Sequence, residues 1–298
     1  MRIASSTVQD NIVRQIQQLG VNTAKLQTQV ATGQRIQNAD DDPAATGRIL
    51  NQQSELNRVT QFDENAARAL EISRSTFGGL RDVKSISDRA GEIATLGRST
   101  AGPDSLRAYS SEVNQLIEQL MQVGNTRLGN DYVFAGTAVD APPFTATRDA
   151  SGNVTAATYV GNASQARIPL SEVASVTPSA SAATNLSIRD LLNQLVGLRD
   201  SLATNNSTGI ATAQADLLNG EDSFVTAIAE NGAVQSRIEV NQAQQQSRGD
   251  NIVALIGNES NVDLPDAIVR LNQSQVAYQA ALQSAANIMK LSLLDYIR

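Results

Sequence analysis

The sequence predicts a mainly α protein: a long antiparallel coiled-coil and helical-bundle rod built from both chain ends, with a small inserted antiparallel β domain. Three observations carry this expectation. Proline-free stretches at 44–102, 104–141, 179–264 and 266–298 leave room for long helices, because proline breaks a helix interior. Apolar residues inside them recur at alternating three- and four-residue spacing, as in helices that pack at shallow angles. Only 131–185 breaks that pattern, with short β-favouring runs and turn residues.

Taken in order, the N-terminal helix carries Ile12, Ile16, Leu19, Thr23, Leu26 and Val30 at 4-3-4-3-4 spacing. A second helix is expected over 44–99, with Leu56, Val59, Leu70, Phe77 and Leu80 toward a core. At ~1.5 Å per residue it would be roughly 80 Å long, which suits a rod better than a globule. A third carries Leu106, Tyr109, Val113, Leu116, Leu120 and Val123. The β segment follows, read from Tyr132–Phe134, Thr155–Val160 and Gln165–Leu170, with a turn at Asp149–Asn153 where Gly152 supplies a positive φ. Ser175–Thr184, nearly all Ser, Ala and Thr, reads as a surface connection. Helices are expected again at 186–204 and 209–257. The last carries Leu264, Ile268, Leu271, Gln275, Tyr278, Leu282, Ala285 and Met289.

Neither half buries its apolar stripe alone, so the ends must meet. The nested organisation expected is a terminal coiled coil of 1–40 with 259–298, a bundle of 41–130 with 186–258, and an inserted β domain at 131–185. Its assembly seam is Ile12, Ile16, Leu19, Leu26 and Val30 against Leu264, Ile268, Leu271, Tyr278, Leu282 and Met289. An insert of this kind should be removable over about 138–180 without loss of assembly, since its ends lie close together.

Composition removes whole classes of chemistry. The chain has 298 residues with no Cys, His or Trp. That leaves no thiolate nucleophile, no Ser-His-Asp triad, and no ordinary zinc, haem or iron–sulfur site. A formal net charge of −7 argues against a nucleic-acid partner. No run is apolar and long enough for membrane insertion, and the opening MRIASSTVQDN lacks the apolar core of a signal peptide. No catalytic residue, cofactor or metal is expected, and the chain reads as no enzyme.

The densest carboxylate cluster, Asp40-Asp41-Asp42, could suit a hard cation. Its position directly before Pro43 and a long helical run instead reads as a helix start, with Asp42 as the cap. Asp263, before Leu264-Pro265, reads as a second cap, with Gly257-Asn258 as the preceding stop. Arg248-Gly249-Asp250 spells an adhesion tripeptide but lies in a polar helical stretch. Thr23 and Gln275 at seam positions, and the run Gln242, Gln244, Gln245 and Gln246, describe either a loosely packed helix or a terminal hairpin stabilised by neighbouring subunits.

The stretch Val30-Ala31-Thr32-Gly33-Gln34-Arg35-Ile36-Gln37-Asn38-Ala39-Asp40-Asp41-Asp42 resembles a signature of the bacterial flagellin superfamily. Within it, Pro43 straight after the aspartates is similar to the hook–filament junction family, where flagellin itself usually continues with Ala-Ala-Gly-Leu. Tyr132–Thr137 with Pro142-Pro143-Phe144, Asp263–Ile268, and Tyr278–Leu282 through Ser292–Ile297 resemble that family too, whereas 171–187 does not match it. The resemblance implies a structural flagellar subunit, extracellular and exported without a cleaved signal through the type III apparatus. It implies contacts with copies of itself in a ring or helical layer, with the first hook-associated protein, with flagellin, and with a flagellar export chaperone. The alternatives are a flagellin filament subunit and, from another class, a coiled-coil adhesin or binding module presenting 131–185.

Overall fold

The computed structural model describes residues 2–99 and 102–296, with side chains over 10–99 and 102–288. The elements run α1 (Arg2–Thr32), α2 (Pro43–Arg98), α3 (Pro103–Gly124), β1 (Arg127–Leu128), β2 (Asp131–Tyr132), β3 (Phe144–Arg148), β4 (Val154–Tyr159), β5 (Ile168–Pro169), β6 (Ser175–Val176), α4 (Ala182–Ala203), α5 (Ser207–Ser260) and α6 (Leu264–Tyr296). The fold is mainly α, with short antiparallel strand pairs β1–β2, β3–β4 and β5–β6. Two compact units divide the chain: Met1–Asn57 with Asp250–Arg298, and Arg58–Gly249.

In the second unit, α3 buries Leu106, Val113, Ile117, Leu120 and Gly124 on one face and starts with Pro103 as its first residue. Proline at that position loses no intrahelical bond. Helix α4 is capped by Ser181, whose hydroxyl accepts from the Thr184 N–H at 3.1 Å, and buries Ile188, Leu191, Leu192, Leu195, Leu198 and Leu202. Between α4 and α5, Asn205 takes a left-handed φ of 53°, and the Asn206 side chain accepts from the Gly209 N–H at 3.1 Å.

The β segment shares its core with these helices. Phe144, Val154 and Ala157 belong to the same buried cluster as Ile117 and Leu120 of α3 and Leu192 and Leu195 of α4. Gly124 is where the two layers come closest: a Cβ there would stand 2.7 Å from the Phe144 ring. A smaller cluster joins Ala66, Ala69 and Leu70 of α2, Leu170 and Val176 of the β5–β6 hairpin, and Ile238 of α5. A polar layer is buried beside it. Ser73 donates to Asn231 at 3.1 Å, and Asn231 donates in turn to the Pro178 carbonyl at 3.2 Å.

Three side-chain amides from neighbouring elements occupy strand edges. Asn125 both donates to and accepts from the Phe144 backbone, Asn193 of α4 does the same for Ala157, and Asn65 of α2 donates to the Pro169 carbonyl. A covered edge cannot template the addition of another strand.

Several expectations need correction. Strand β3 was not visible in the sequence pattern, because its alternation of Phe144, Ala146 and exposed threonines is weak. Only Ile168–Pro169 of the run at 165–170 is strand. Ser175–Thr184 is no surface connection: it holds β6, buries Val176 and Ala180, and begins α4. Helix α5 runs through Gly257-Asn258 to Ser260.

Candidate functional site

In the first unit, α1 and α6 pair antiparallel. On α1 Ile12, Ile16, Leu19, Thr23, Leu26 and Val30 are half-buried, with Gly20 and Gln29 beside them. On α6 the seam runs instead through Ala267, Leu271, Ser274, Tyr278, Ala281 and Ala285. The polar pair at its middle is satisfied: Thr23 donates to the Leu19 carbonyl at 2.8 Å, and its hydroxyl lies 2.7 Å from that of Ser274. Tyr278 covers Gly20, where a Cβ would meet the ring at 3.5 Å.

This register corrects part of the expected seam. Leu271 and Tyr278 lie in it, but Leu264, Ile268 and Leu282 stay 43%, 45% and 43% exposed, and Gln275 is exposed as well. The Met289 side chain lies outside the described residues. The physical reason is size: Ala267, Ser274, Ala281 and Ala285 let the two backbones approach, and larger side chains at those positions would hold them apart. With Leu271, Tyr278 and Ala285 at heptad position a, Ile268 and Leu282 fall at e, and Val269 and Val276 at f. All four are exposed, Val276 by 67%. They form an apolar face of α6 that no helix of the chain covers among the described residues.

A clasp joins the inner ends of the same helices. Gly33, with φ 71°, ends α1 and donates to the Gln29 carbonyl at 2.8 Å. That backbone region favours glycine, since a Cβ would clash there. The chain then forms an antiparallel bridge between Gln34 and Asn261. Arg35 donates its N–H to Ser260 at 2.7 Å, and Val262 donates to Gly33 at 2.9 Å. The Arg35 side chain reaches the Glu259 carbonyl at 2.9 Å, and Arg48 holds the Glu259 carboxylate through two bonds of 2.9 Å.

Two aspartates of the Asp40-Asp41-Asp42 cluster are engaged by the protein itself. Asp42 accepts from the Ala45 N–H at 3.0 Å, as a helix cap. Asp41 accepts from Lys25 at 2.6 Å and from the N–H groups of Gln37 and Asn38 at 3.0 and 3.1 Å. Asp263 accepts through its carbonyl from Ala267 at 2.9 Å. No group of three or more carboxylates able to hold a metal ion occurs among the described residues, and no helix there is long and apolar enough to cross a membrane.

These contacts set the electrostatics of the clasp. Lys25 first, then the Gln37 and Asn38 N–H groups, lower the Asp41 carboxyl from 3.8 to about 2. The Ala45 N–H and then Arg35 lower Asp42, and Arg48 lowers Glu259. A carboxyl lowered by folding stabilises the fold above its unfolded value, and that contribution is lost as pH falls through the folded value. For Asp41 the window therefore runs from about pH 4 down to about pH 2. A carbon-detected NMR titration should give an Asp41 midpoint near 2, and Lys25→Ala should move it upward. An unmoved midpoint would count against Lys25 as the main cause.

The caps Asp42 and Asp263 were legible in the sequence, whereas Gly33 was not read as the end of α1. The Arg48–Glu259 pair was not legible, because 211 residues separate its members and either could have been solvated. The small seam residues could have been found from Ala267, Ser274 and Ala281, which recur every seventh residue.

Comparison with known proteins finds a family model over the N-terminal part of the chain, and relatives beside it. Residues 3–138 match the family model of the bacterial flagellin N-terminal helical region. Over 148 residues the chain is 26% identical to flagellar hook-associated protein 3 of Salmonella typhimurium, covering 48% of this chain and 46% of that protein. The match thus spans about half the length of the relative. A Vibrio parahaemolyticus chain named as a flagellar hook-associated protein superposes with a TM-score of 0.66 at 16% identity, over 74% of this chain and 100% of that one. Bacillus cereus FlgL gives 0.60 at 16% identity, over 70% and 99%. At these identities the structural likeness is one of fold.

Proposed function

We propose that this chain is a structural subunit of the bacterial flagellum, joining the hook, through the first hook-associated protein, to the flagellin filament. The observation that carries the reading is the paired chain ends: a satisfied intramolecular seam that leaves a second, apolar face of α6 for other subunits. The similarity to flagellar hook-associated protein 3 supports this over a filament role. In this reading 1–40 with 259–298 form the terminal coiled coil that makes the subunit contacts. Residues 41–130 with 186–258 form the bundle, which carries 131–185. Copies of the chain form one ring or helical layer, and an export chaperone accompanies the chain before its secretion through the type III apparatus. The role is structural and calls for no catalysis.

A filament subunit must present a heterologous contact that repeats indefinitely on the same surfaces. A junction subunit needs one axial face for the layer below and a different one for the filament above, so self-addition stops after a thin layer. The purified chain is expected to form no long filaments, even at high concentration in precipitating salt. A strain lacking it should make hooks and release unpolymerised flagellin into the medium. Micrometre-long homopolymers in electron micrographs would reject the junction role and favour the filament.

A further inference from the structure

We propose that the outer edge of β6, with the facing surface of α5, is a strand-addition site for an acidic extended segment of a partner protein. The first observation is an uncovered edge. Leu170 donates to the Ala174 carbonyl at 2.9 Å, so that pair is hydrogen-bonded across the hairpin. The next pair, Pro169 with Ser175, is then of the kind whose backbone groups point outward, because the two kinds alternate along an antiparallel ladder. On the β5 side the outward Pro169 carbonyl is taken by Asn65. On the β6 side nothing among the described residues meets the Ser175 N–H and carbonyl. The edges at Phe144, Ala157 and Pro169 are each met by an asparagine, whereas this one opens onto a groove.

The groove holds 260 Å³ and is lined by Leu170, Ser175, Val176, Arg237, Val240 and Asn241, among others. Its α5 wall contains an acceptor without a donor. The Asn241 Oδ1 is buried and unpartnered. One turn further along the helix, behind the residues that line the groove, Gln245 is only 4% exposed. Its Nε2 donates to the Leu170 carbonyl at 3.1 Å, which leaves its Oε1 buried without a partner. Buried acceptors left unpaired are costly, and an extended peptide brings N–H donors at regular spacing. Strand addition draws affinity from such backbone bonds and specificity from pockets for alternate side chains. Val240, two-thirds exposed, and Val173, 98% exposed at the hairpin tip, supply the apolar contacts. Arg237 is exposed and lines the groove, with no ion-pair partner among the described residues, so the segment that fits carries a carboxylate.

The test uses the full isotope-labelled chain and an acetylated, amidated hexapeptide, Thr-Val-Glu-Val-Thr-Val, followed by NMR. Saturable shifts at the Ser175 amide and at the Asn241 side-chain amide are expected, with a Kd up to about 1 mM. Arg237→Glu should weaken binding roughly tenfold, a change of about 1.4 kcal/mol, and should favour the same peptide with lysine in place of glutamate. That reversal separates recognition from a change in folding, because a damaged groove would lose both peptides. Backbone N-methylation of the probe should remove binding. The proposal is overturned by no saturation at millimolar peptide, by binding indifferent to N-methylation or to Arg237→Glu, or by self-association of the chain that Arg237→Glu abolishes.

Discussion

A chain carrying Ile268→Glu, Val276→Glu and Leu282→Glu together is expected to fold as the parent does and to fail to enter the flagellum. All three side chains are exposed in the isolated chain, and surface substitutions of this kind usually change stability by no more than about 0.5 kcal/mol each. In a subunit contact the same side chains would be buried. Each apolar side chain removed from water is worth about 1.5–3 kcal/mol, so three losses amount to at least about 4.5 kcal/mol, or more than a thousandfold in association. Burying three carboxylates without partners adds to that. Thermal melts of the variant should overlay those of the parent, while motility and junction assembly in a complemented strain should be lost. A motile strain with this triple variant would show that the e/f face of α6 is not the contact. Leucine at Ala267 and Ala281 should do the reverse, loosening the intramolecular pair by about 1–3 kcal/mol per overpacked site before assembly is reached.

Excising 138–180 and closing the gap with a short Gly-Ser linker is expected to unfold the second unit, contrary to what an autonomous insert would allow. The deletion removes Phe144, Val154, Leu170 and Val176, each at most 4% exposed. At about 1.5–3 kcal/mol per buried side chain that is about 6–12 kcal/mol, comparable with a whole domain's stability of about 5–15 kcal/mol. It also strips the cover from Ile117, Leu120, Leu192 and Leu195. Circular dichroism should show loss of the cooperative melt. Phe144→Ala is the graded version, at about 3–5 kcal/mol for truncating a buried aromatic residue. A sharp melt retained by the deletion protein would mean that the strands and the helices can be separated.

The helices were legible because their signals are local. Proline at the first position of α2 and α3, and aspartate before Pro43 and before Leu264, act within a few residues of the backbone they shape. The α1 face was legible too, since Ile12, Ile16, Leu19, Leu26 and Val30 keep one alternating spacing that the exposed Val13 and Val21 do not continue. The strand pairs were less so. Those at β1–β2 and β5–β6 are two residues long, too short for alternation to be read.

On α6 the sequence was ambiguous for a reason visible in its residues. Ala267, Ile268, Val269, Leu271, Val276, Tyr278, Ala281 and Leu282 lie around much of the helix, so apolar periodicity alone supports more than one face. Choosing the largest side chains selected Leu264, Ile268 and Leu282. The packed pair selected Ala267, Ser274, Ala281 and Ala285, because close approach of two backbones rewards small residues, a quantity that belongs to the pair and not to either helix. The same holds for the middle of the chain. Residue types fixed a turn at Asp149–Asn153 and β propensity near 155–160, but whether those strands had their own core depended on what lay opposite them. Phe144 against Gly124 and Asn193 against Ala157 are contacts across 20 and 36 residues, and only the folded chain brings them together. From the residues alone come the long helices, the capped starts at Asp42 and Asp263, and the chemistries that are missing, whereas the stop expected at Gly257-Asn258 lies inside α5. Packing settled which apolar face is buried inside the chain and which stays exposed, because burial is a property of neighbours.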